Sequence, residues 1–398
     1  MRKASLGTLF LTVFLDLVGF GLVIPFLPTM ARDMGSSDFL AAALSSCFSL
    51  MQFLAVPFWG RLSDRVGRRP VLLWSIAGSA LGMVFLGLAQ TLPLLFLARL
   101  FSGFATANIA VAQAYIADIT TPENRSKGMA VIGIGFGLGF MIGPFIGGEL
   151  GRFHIMGHQG TLPAFVAAGL SAINFVMAWR LLPESLAKEN RSTRKRVLVD
   201  WQALRDVKAY PGVRAVLFIF FVSTFWFAGV QALFRLFTLD AFGMNVTDTG
   251  RIFGLVGLVS VVVQGGLIGR LNKRFGEVTL ITTSIVLLII GFLLHAACVG
   301  RGVPMLILAA MVASVGTALH MPSVSGYVSR SVPADVQGST LGLMQSGSAL
   351  ARATGPVLWG MLYDGLGLRA PFLIGALALA GLLAISPRLP RIKPTKIA

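Results

Sequence analysis

The sequence contains little charge and almost no cysteine. Of its 398 residues, only 12% are Asp, Glu, Lys or Arg, about half the share of a soluble globular domain. Cys47 and Cys298 both fall inside apolar stretches, so we expect buried thiols and neither a disulfide framework nor a metal site. The chain also lacks a phosphate-binding loop and a nucleophile–base signature. These absences exclude a soluble enzyme, a disordered chain and a secreted disulfide scaffold, and we expect no catalytic residue and no cofactor.

Apolar residues make up 55% of the chain and gather in long runs. The hydrocarbon core of a bilayer, ~30 Å thick, requires about 20 apolar residues per helix. The sequence therefore predicts an all-α polytopic membrane protein with twelve transmembrane helices. The predicted spans are 6–30, 39–60, 70–90, 93–117, 128–150, 161–183, 213–237, 249–269, 277–299, 303–328, 338–362 and 368–387.

Lys and Arg lie mainly on one side of these spans. If the N-terminus is cytoplasmic, 25 of the 33 basic residues lie in cytoplasmic segments, five on the other side and three within spans. This asymmetry predicts that both termini are cytoplasmic. The net charge of +17 is thus explained by topology, and we expect no nucleic-acid partner.

The longest loop, 184–212, is rich in Lys and Arg and lies midway along the chain. We interpret it as a cytoplasmic basic linker between an N-terminal six-helix bundle, 1–183, and a C-terminal six-helix bundle, 213–398. A basic segment on this face can also contact anionic lipid, although a solvated linker is the simpler interpretation.

The two halves repeat each other. GRLSDRVG at 60–67 follows the second span and GRLNKRFG at 269–276 follows the eighth, 209 residues later, with five of eight positions identical. The pair Gly143-Pro144 recurs 212 residues later as Gly355-Pro356. Parallel repeats of six helices are an architecture of transporters. We therefore predict two bundles related by a pseudo-twofold axis, with a cavity at their interface.

Four segments together resemble motifs of the major facilitator superfamily. GRLSDRVGRR at 60–69 resembles the signature of the loop between the second and third helices, and LARLFSG at 97–103 resembles the arginine motif of the fourth helix. GFGLGFMIGPFIGG at 135–148 resembles the fifth-helix motif of antiporters, and LDLVGFGLVIPFLP at 15–28 the first helix of drug exporters. The resemblance covers the whole chain. It is closest to the twelve-helix drug:proton antiporters, and within them to the tetracycline efflux branch, which implies the proton as coupling ion.

The chain departs from the tetracycline exporters at two places. They carry an acid in the third helix, where this chain has Gly82, and another in the ninth helix, where the stretch near Leu288 is wholly apolar. In that branch these acids are tied to recognition of the metal–drug complex. The resemblance therefore implies a hydrophobic or cationic drug rather than tetracycline itself.

Asp16 is the only acid clearly inside an apolar span. A charge at mid-membrane costs at least ~2.5 kcal/mol, so such a residue indicates function. Burial favours its neutral form and a nearby cation its charged form, which suits a group that takes up and releases a proton. Arg99 resembles the coupling arginine of the family. The alternative is a fixed structural ion pair between Asp16 and Arg99.

Glycines recur every four residues in the fifth helix. They are Gly135, Gly139, Gly143 and Gly147, and Pro144 lies among them. Because small residues let helix backbones approach closely in lipid, we predict that this stripe packs against a helix of the other half.

The loop between the second and third helices contains the candidates for a conformational latch. They are Gly60, Asp64, Arg65, Gly67 and Arg68. The arginines are topology determinants in any case. The resemblance implies that Asp64 contacts the other half on the cytoplasmic side and stabilises the outward-open state. Its counterpart in the second half is Lys273, so such a latch is one-sided.

Four polar residues are candidates for substrate contacts. Arg99, Thr106 and Gln113 share one helical face, since steps of seven residues return nearly to the same angle. Gln231, His320 and Gln345 lie on polar strips of the seventh, tenth and eleventh helices. We consider Gln113, Gln231, His320 and Gln345 as substrate-binding residues, with a structural role as the alternative.

These patterns predict a proton-coupled antiporter of the bacterial inner membrane that exports hydrophobic drugs or metabolites by alternating access. We expect a monomer whose partners are a small-molecule substrate and the lipid bilayer. The alternative is a proton-coupled symporter or uniporter of a small metabolite, such as a sugar or carboxylate, on the same fold. A membrane-embedded enzyme or channel is a third, weaker interpretation.

Overall fold

The computed structural model describes residues 6–106, 108–120, 125–153, 155–156, 160–186, 191, 207 and 209–390. This part of the chain is almost entirely helical. Its helices are α1 (Leu6–Val23), α2 (Leu27–Asp33), α3 (Asp38–Val66), α4 (Arg68–Leu88), α5 (Leu92–Ala105), α6 (Asn108–Ile119), α7 (Arg125–Leu150), α8 (Thr161–Leu181), α9 (Pro211–Phe242), α10 (Val246–Val262), α11 (Ile268–Phe275), α12 (Glu277–Cys298), α13 (Val303–Ser331), α14 (Ala334–Leu366) and α15 (Ala370–Leu382). A π-helical turn joins α10 to α11, and a 3₁₀ turn, Ser386–Arg388, follows α15.

Helices lie at all twelve predicted spans, so the predicted fold class is confirmed. Nine stretches of the described chain are long and apolar enough to cross a bilayer. One of them, Leu6–Asp33, contains both α1 and α2. These two helices are separated at residues 24–26, where Pro25 lacks the N–H that a continuous helix requires. Most of the predicted linker 184–212 and both chain termini lie outside the described residues.

The described chain divides into two compact units. The first contains the described parts of Met1–Leu198 together with Ala232–Leu258, and the second those of Val199–Gln231 together with Val259–Ala398. The end of α9 and most of α10 thus pack with the first six spans, although they follow the predicted linker in sequence.

The first unit is built around α1 and α4. Helix α1 packs against α7 and α8, and α4 packs against α5 and α8. Leu9, Val71 and Tyr115 lie in its apolar core. The buried side-chain amide of Asn174 in α8 donates a hydrogen bond to the carbonyl oxygen of Thr12 at 2.9 Å, which satisfies a buried polar group and ties α8 to α1.

The second unit is built around α12, which packs against α13 and α15. An aromatic cluster lies on its inner face: the Phe292 ring is 6.0 Å from both Trp359 and Phe372, and the Trp359 and Phe372 rings are 4.9 Å apart. All these pairs meet edge to face, the arrangement that aromatic quadrupoles favour. The cluster fixes α14 and α15 against α12.

The internal repeat is visible within each unit. Gly67 and Gly276 each separate two helices with a positive φ, 114° and 76°, which glycine adopts at little cost. A Cβ at Gly143 would lie 2.7 Å from the carbonyl oxygen of Val18 in α1. A Cβ at its counterpart Gly355 would clash with the carbonyl oxygen of Phe225 in α9. The same close packing of the fifth and first spans therefore recurs between the eleventh and seventh.

One ion pair is repeated with its charges exchanged. In the first unit, Arg68 at the start of α4 binds Asp118 at the end of α6, with Nε to Oδ2 at 3.1 Å. The equivalent positions 209 and 212 residues later are Glu277 and Arg330, which bind each other at 2.9 Å. The repeat thus preserves the bridge and reverses its polarity.

Candidate functional site

Asp16 lies in the middle of α1 and is 7% exposed. The helix that carries it is held by the glycines of α7. A Cβ at Gly139 would lie 2.6 Å from the Cβ of Leu17, the residue next to Asp16, and one at Gly135 would meet Leu17 Cδ1 at 3.7 Å. The close approach at Gly139 leaves α1 little freedom beside Asp16. The carboxyl group is therefore placed on a rigid element, away from bulk water.

Arg99 of α5 is also buried, at 2% exposure. Its guanidinium carbon lies 4.2 Å from the centroid of the Phe48 ring and 5.8 Å from that of Phe20. Its Nε and Nη1 atoms have no hydrogen-bond partner within the described chain. A desolvated cation–π contact is worth about 2 kcal/mol, less than the hydrogen bonds that a guanidinium makes in water. Arg99 is thus a buried cation with unused donors.

Asp16 and Arg99, both within the described residues, do not form an ion pair: no bridge of 4.0 Å or less joins them. The structural pairing considered as the alternative is therefore not present in this conformation. The carboxyl group of Asp16 is buried, and the guanidinium of Arg99 lies over the rings of Phe48 and Phe20.

The fourth predicted span, 93–117, is interrupted next to this arginine. Helix α5 ends at Ala105 and α6 begins at Asn108. Three side chains of α3 and α4 donate to the carbonyl oxygens that the break releases: Trp59 to Phe104 at 2.6 Å, Ser75 to Ala105 at 2.6 Å, and Gln52 to Thr106 at 2.9 Å. Non-helical backbone at membrane depth requires such partners, so the break is supported by its neighbours.

The break changes the prediction for Gln113. Seven-residue steps relate Arg99, Thr106 and Gln113 only along one continuous helix, and the helix ends before Thr106. The spacing therefore does not place Gln113 on the face of Arg99. Gln113 is half-buried on α6, and its role as a substrate contact stays a prediction.

The glycine stripe of α7 packs against α1, and the prediction of a partner in the other half is wrong. A Cβ at Gly143 would meet the backbone of Val18 and Gly21, and one at Gly147 the backbone of Leu22. Glycine at these positions lets two helices of one bundle approach, since any side chain would collide with a main chain. The stripe therefore serves the packing of the first bundle.

A different glycine row crosses from α10 to α7. A Cβ at Gly250 would lie 2.7 Å from the carbonyl oxygen of Pro144, and one at Gly254 would lie 3.1 Å from the Phe145 ring. A Cβ at Gly257 would clash with Met141. The sequence signal for this contact was the small-xxx-small spacing of Gly250 and Gly254, which sequence reasoning missed.

The 60–69 segment, of which only Gly67 lies outside α3 and α4, is held by Asp64 and by two acids that sequence reasoning missed, Asp118 and Glu184. Arg68 binds Asp64 at 2.6 Å and Asp118 at 3.1 Å. The carboxylate of Glu184 accepts from the backbone N–H of Arg68 at 2.7 Å, a favourable place for an anion at a helix N-terminus. A Cβ at Gly67 would collide with Glu184. The 60–69 segment is therefore anchored within the first unit.

Two other latch candidates, Gly60 and Arg65, have fewer close neighbours. A Cβ at Gly60 would meet no atom within 4 Å, and the Arg65 side chain is exposed. The contact of Asp64 with the other half stays a prediction.

His320 is the most buried of the candidates in the second unit. Its Nδ1 lies 2.8 Å from the hydroxyl of Ser284, and its ring stacks on Phe220 at 6.0 Å. Its Nε2 has no partner among the described residues. Gln231 and Gln345 are half-buried. The structure thus gives His320 a defined polar neighbour, and a substrate role for these three residues stays a prediction.

Ion pairs join α10 and the end of α9 to the first six spans. The guanidinium of Arg32 forms a double contact with Asp240, at 2.5 and 2.8 Å, and also binds Asp38 at 2.7 Å. Arg251 binds Glu149 at 3.1 Å. These bridges lie at helix ends that the charge pattern predicts to be non-cytoplasmic.

The described residues contain no group of three or more His, Cys, Asp or Glu side chains that could hold a metal ion.

Comparisons with known proteins agree with this architecture. A sequence model of the Major Facilitator Superfamily matches residues 9–293 and 265–397. The class C tetracycline resistance protein of Escherichia coli is 33% identical over 355 residues, 88% of each chain, and multidrug resistance protein 2 of Bacillus subtilis is 29% identical over 96% of this chain and 94% of its own. The crystal structure of the human organic anion transporter MFSD10 has a TM-score of 0.76 at 26% identity, and the match covers 96% of this chain and 98% of that one.

The chain belongs to the major facilitator superfamily. This membership makes it a multi-pass membrane transporter, with tetracycline and multidrug efflux proteins among its relatives.

Within this superfamily protein, the two positions that lack the acids of the tetracycline branch are closely packed. A Cβ at Gly82 would collide with the hydroxyl of Ser102 in α5. Leu288 is 1% exposed, and a Cβ at Gly316 would lie 3.1 Å from its Cγ. A carboxylate at position 82 would therefore require Ser102 of α5 to shift, and one at position 288 would be buried against α13.

Proposed function

We propose that this transporter is a proton-coupled antiporter of the bacterial inner membrane, with both termini cytoplasmic, that exports hydrophobic drugs or metabolites by alternating access. It acts as a monomer, and the proton is its coupling ion. The observation that carries the proposal is Asp16: a carboxyl group 7% exposed in the middle of an apolar helix, on a helix whose backbone is fixed by Gly139 and Gly143.

A buried carboxyl group suits proton coupling because its two charge states differ strongly in free energy in this environment. Keeping the charged form at membrane depth costs at least about 2.5 kcal/mol, and water or a cation that reaches the group offsets this cost. A conformational change that alters the access of water to this carboxyl group couples a proton gradient to the equilibrium between two conformational states. One proton crossing ~100 mV supplies about 2.3 kcal/mol.

Arg99 acts with Asp16 without being bound to it in this conformation. Its unused donors are available to a group that enters from the transport pathway, either the carboxylate of Asp16 in another state or an electronegative atom of the substrate. Held on Phe48 and Phe20, the guanidinium is positioned before that group arrives, which lowers the entropy cost of binding.

The ion pairs of Arg32 and Arg251 support two alternating states. Partly exposed bridges are worth about 0–1 kcal/mol each, so they can hold one end of the transporter closed and still break during each cycle. The glycine row of α10 gives smooth packing beneath them. Strong, fully buried contacts at this place would hold a single state.

The substrate class follows from the relatives and from the two missing acids. The named relatives include tetracycline and multidrug resistance proteins, whereas positions 82 and 288 carry Gly and Leu in this chain. We therefore propose hydrophobic or cationic drugs as substrates rather than the metal–tetracycline complex. The second candidate is transport of a small carboxylate, which the unused donors of Arg99 favour.

Reconstituted vesicles with an imposed pH gradient test the proposal. We expect drug flux to follow the gradient in the native protein and to lose this dependence in Asp16→Asn, which preserves size and cannot exchange a proton. Asp33→Asn, at the end of α2, is the matched control and keeps coupled flux. If Asp16→Asn retains full coupled efflux, Asp16 is not the proton carrier. If native flux ignores the gradient, coupling itself is excluded.

A further inference from the structure

An open apolar groove of about 480 Å³ lies in the second unit between α9 and the end of α15. Phe218, Phe221 and Phe225 form much of one wall, and Ala378, Gly381 and Ile385 much of the other. Every side chain that lines the groove is apolar. Phe218 is 53% exposed, so the groove opens at the surface of this unit. The proposed function uses none of these residues.

Both walls of the groove continue into an arginine at the same end. Arg214 precedes Phe218 by four residues, Phe221 by seven and Phe225 by eleven, so it shares their helical face. Arg388 closes the 3₁₀ turn that follows α15, where residues three apart lie one above the other, and it therefore lies over Ile385. Both arginine side chains are exposed.

The two chain segments that carry these arginines meet. A Cβ at Gly212, two residues before Arg214, would lie 3.0 Å from Cδ of Pro390, two residues after Arg388. The start of α9 therefore touches the segment after the 3₁₀ turn. This is the end of the helices that the charge pattern predicts to be cytoplasmic, where basic residues meet lipid headgroups.

We propose that the groove binds one acyl chain of an anionic phospholipid, with its phosphate held by Arg214 and Arg388. An apolar channel that ends in two cations matches the two parts of such a lipid. The long stems of arginine can extend along apolar surface and place their charged ends at the headgroup level. A zwitterionic lipid fills the same groove with less electrostatic gain. The lipid is a partner of the protein and not a transported substrate.

Native mass spectrometry of the purified full-length protein tests the headgroup contact. The probes are dioleoyl phosphatidylglycerol and dioleoyl phosphatidylcholine, titrated in detergent. The double variant Arg214→Gln/Arg388→Gln is compared with Arg270→Gln/Lys273→Gln, which removes two exposed cations of α11 and leaves the same net charge. We expect the first pair to weaken phosphatidylglycerol binding about thirty-fold and the second pair to change it less than twofold. Equal weakening by both pairs, or equal binding of the two lipids by the native protein, would overturn the proposal.

A second pair of variants tests the groove itself. A Cβ at Gly381 would meet no atom within 4 Å, so Gly381→Leu fits the fold and fills the groove. Gly169→Leu on α8, where a Cβ also meets nothing within 4 Å, is the control. We expect Gly381→Leu to reduce phosphatidylglycerol binding at least tenfold and Gly169→Leu to leave it unchanged. If Gly381→Leu keeps the lipid and instead lowers drug flux, the occupant is a substrate and the proposal is wrong.

Discussion

Glu277 and Arg330 repeat the bridge between Arg68 and Asp118 with the opposite polarity. The motif that precedes each bridge also exchanges the sign of a charge, because Asp64 of the first half corresponds to Lys273 of the second. A bridge works in either polarity as long as both partners change together, since the Coulomb attraction is symmetric in sign. The reversed pair therefore indicates that the contact between the third and fourth spans of each half is needed more than either charge.

The polarity exchange predicts the outcome of reversing the second-half pair again. Glu277→Arg places a cation beside Arg330, and Arg330→Glu places an anion beside the 6% exposed Glu277, so each single variant is expected to lower the unfolding temperature. The double variant restores the attraction. We expect a coupling energy of about 1 kcal/mol or more in the double-mutant cycle, measured by thermal unfolding of the purified protein.

The control for this cycle is Arg270→Glu. Arg270 is exposed on α11 and makes no ion pair among the described residues, so its reversal should leave the unfolding temperature within error of the native value. Strictly additive effects of the two single reversals would show that the bridge contributes no net free energy.

At the scale of the helix, side chains of neighbouring helices support the interruption after Ala105. Ser75, Gln52 and Trp59 donate to three successive carbonyl oxygens. Each leaves an unsatisfied acceptor when it is removed, and such an acceptor costs about 1–3 kcal/mol when buried. The break lies six residues from Arg99, so its support also fixes the arginine.

Ser75→Ala is the sharpest test of this support. Ser75 is 1% exposed and its hydroxyl donates to Ala105, whereas the hydroxyl of Ser46, 5% exposed on α3, has no partner within the described chain. The same substitution at both sites removes the same atom. We expect Ser75→Ala to destabilise the protein by about 1–3 kcal/mol and Ser46→Ala to have little effect, measured by thermal unfolding. Equal effects would show that the hydroxyl of Ser75 does not support the break.

The helices themselves could be predicted because a span is a local property: twenty apolar residues are enough to define it. The break within 93–117 could not, since Ala105 and Thr106 are unremarkable in sequence and the donors come from residues 30 to 54 positions away. For the same reason the seven-residue spacing wrongly placed Gln113 on the face of Arg99. Asp118 and Glu184 were likewise not recognised as partners of the 60–69 segment.

The partner of a glycine stripe is likewise not encoded in the stripe. The period of Gly135, Gly139 and Gly143 predicts a smooth face, and that face exists. Which helix covers it depends on the order of the spans around the bundle, and α1 takes that place. The family resemblance was carried by the motifs themselves, and the match of the family to nearly the whole chain confirms it.

At the scale of the whole molecule, the segment 232–258 is the part that connects the predicted halves. It follows the first part of α9 in sequence and packs with the first six spans. Its contacts with the first six spans include a row of glycines, which have no side chains to interlock, and ion pairs, which are weak when exposed. The proposed alternation between two states needs contacts that break at small cost, and these two kinds of contact meet that need.

Arg32 is the residue on which these bridges depend most, because it binds Asp240 and Asp38 at once. In Arg32→Gln both bridges are lost and two carboxylates are left facing a neutral side chain. The Asp38 bridge lies within the first six spans, so only the loss of the Asp240 bridge, about 1 kcal/mol, favours opening, and the equilibrium should move toward the state open at this end by about fivefold. The labelling rate of Thr247→Cys by a membrane-impermeant maleimide, in a background without Cys47 and Cys298, reports this opening. Thr247 is buried and donates to the Gly148 carbonyl at 2.8 Å, so it reacts only when α10 separates from α7.

Arg301→Gln removes an exposed cation on the same predicted side and should leave the rate unchanged, whereas Asp240→Asn should raise it. A labelling rate in Arg32→Gln equal to that of Arg301→Gln would mean that these bridges do not hold this end closed, and the proposed alternating access would then have to rest on contacts elsewhere in the molecule.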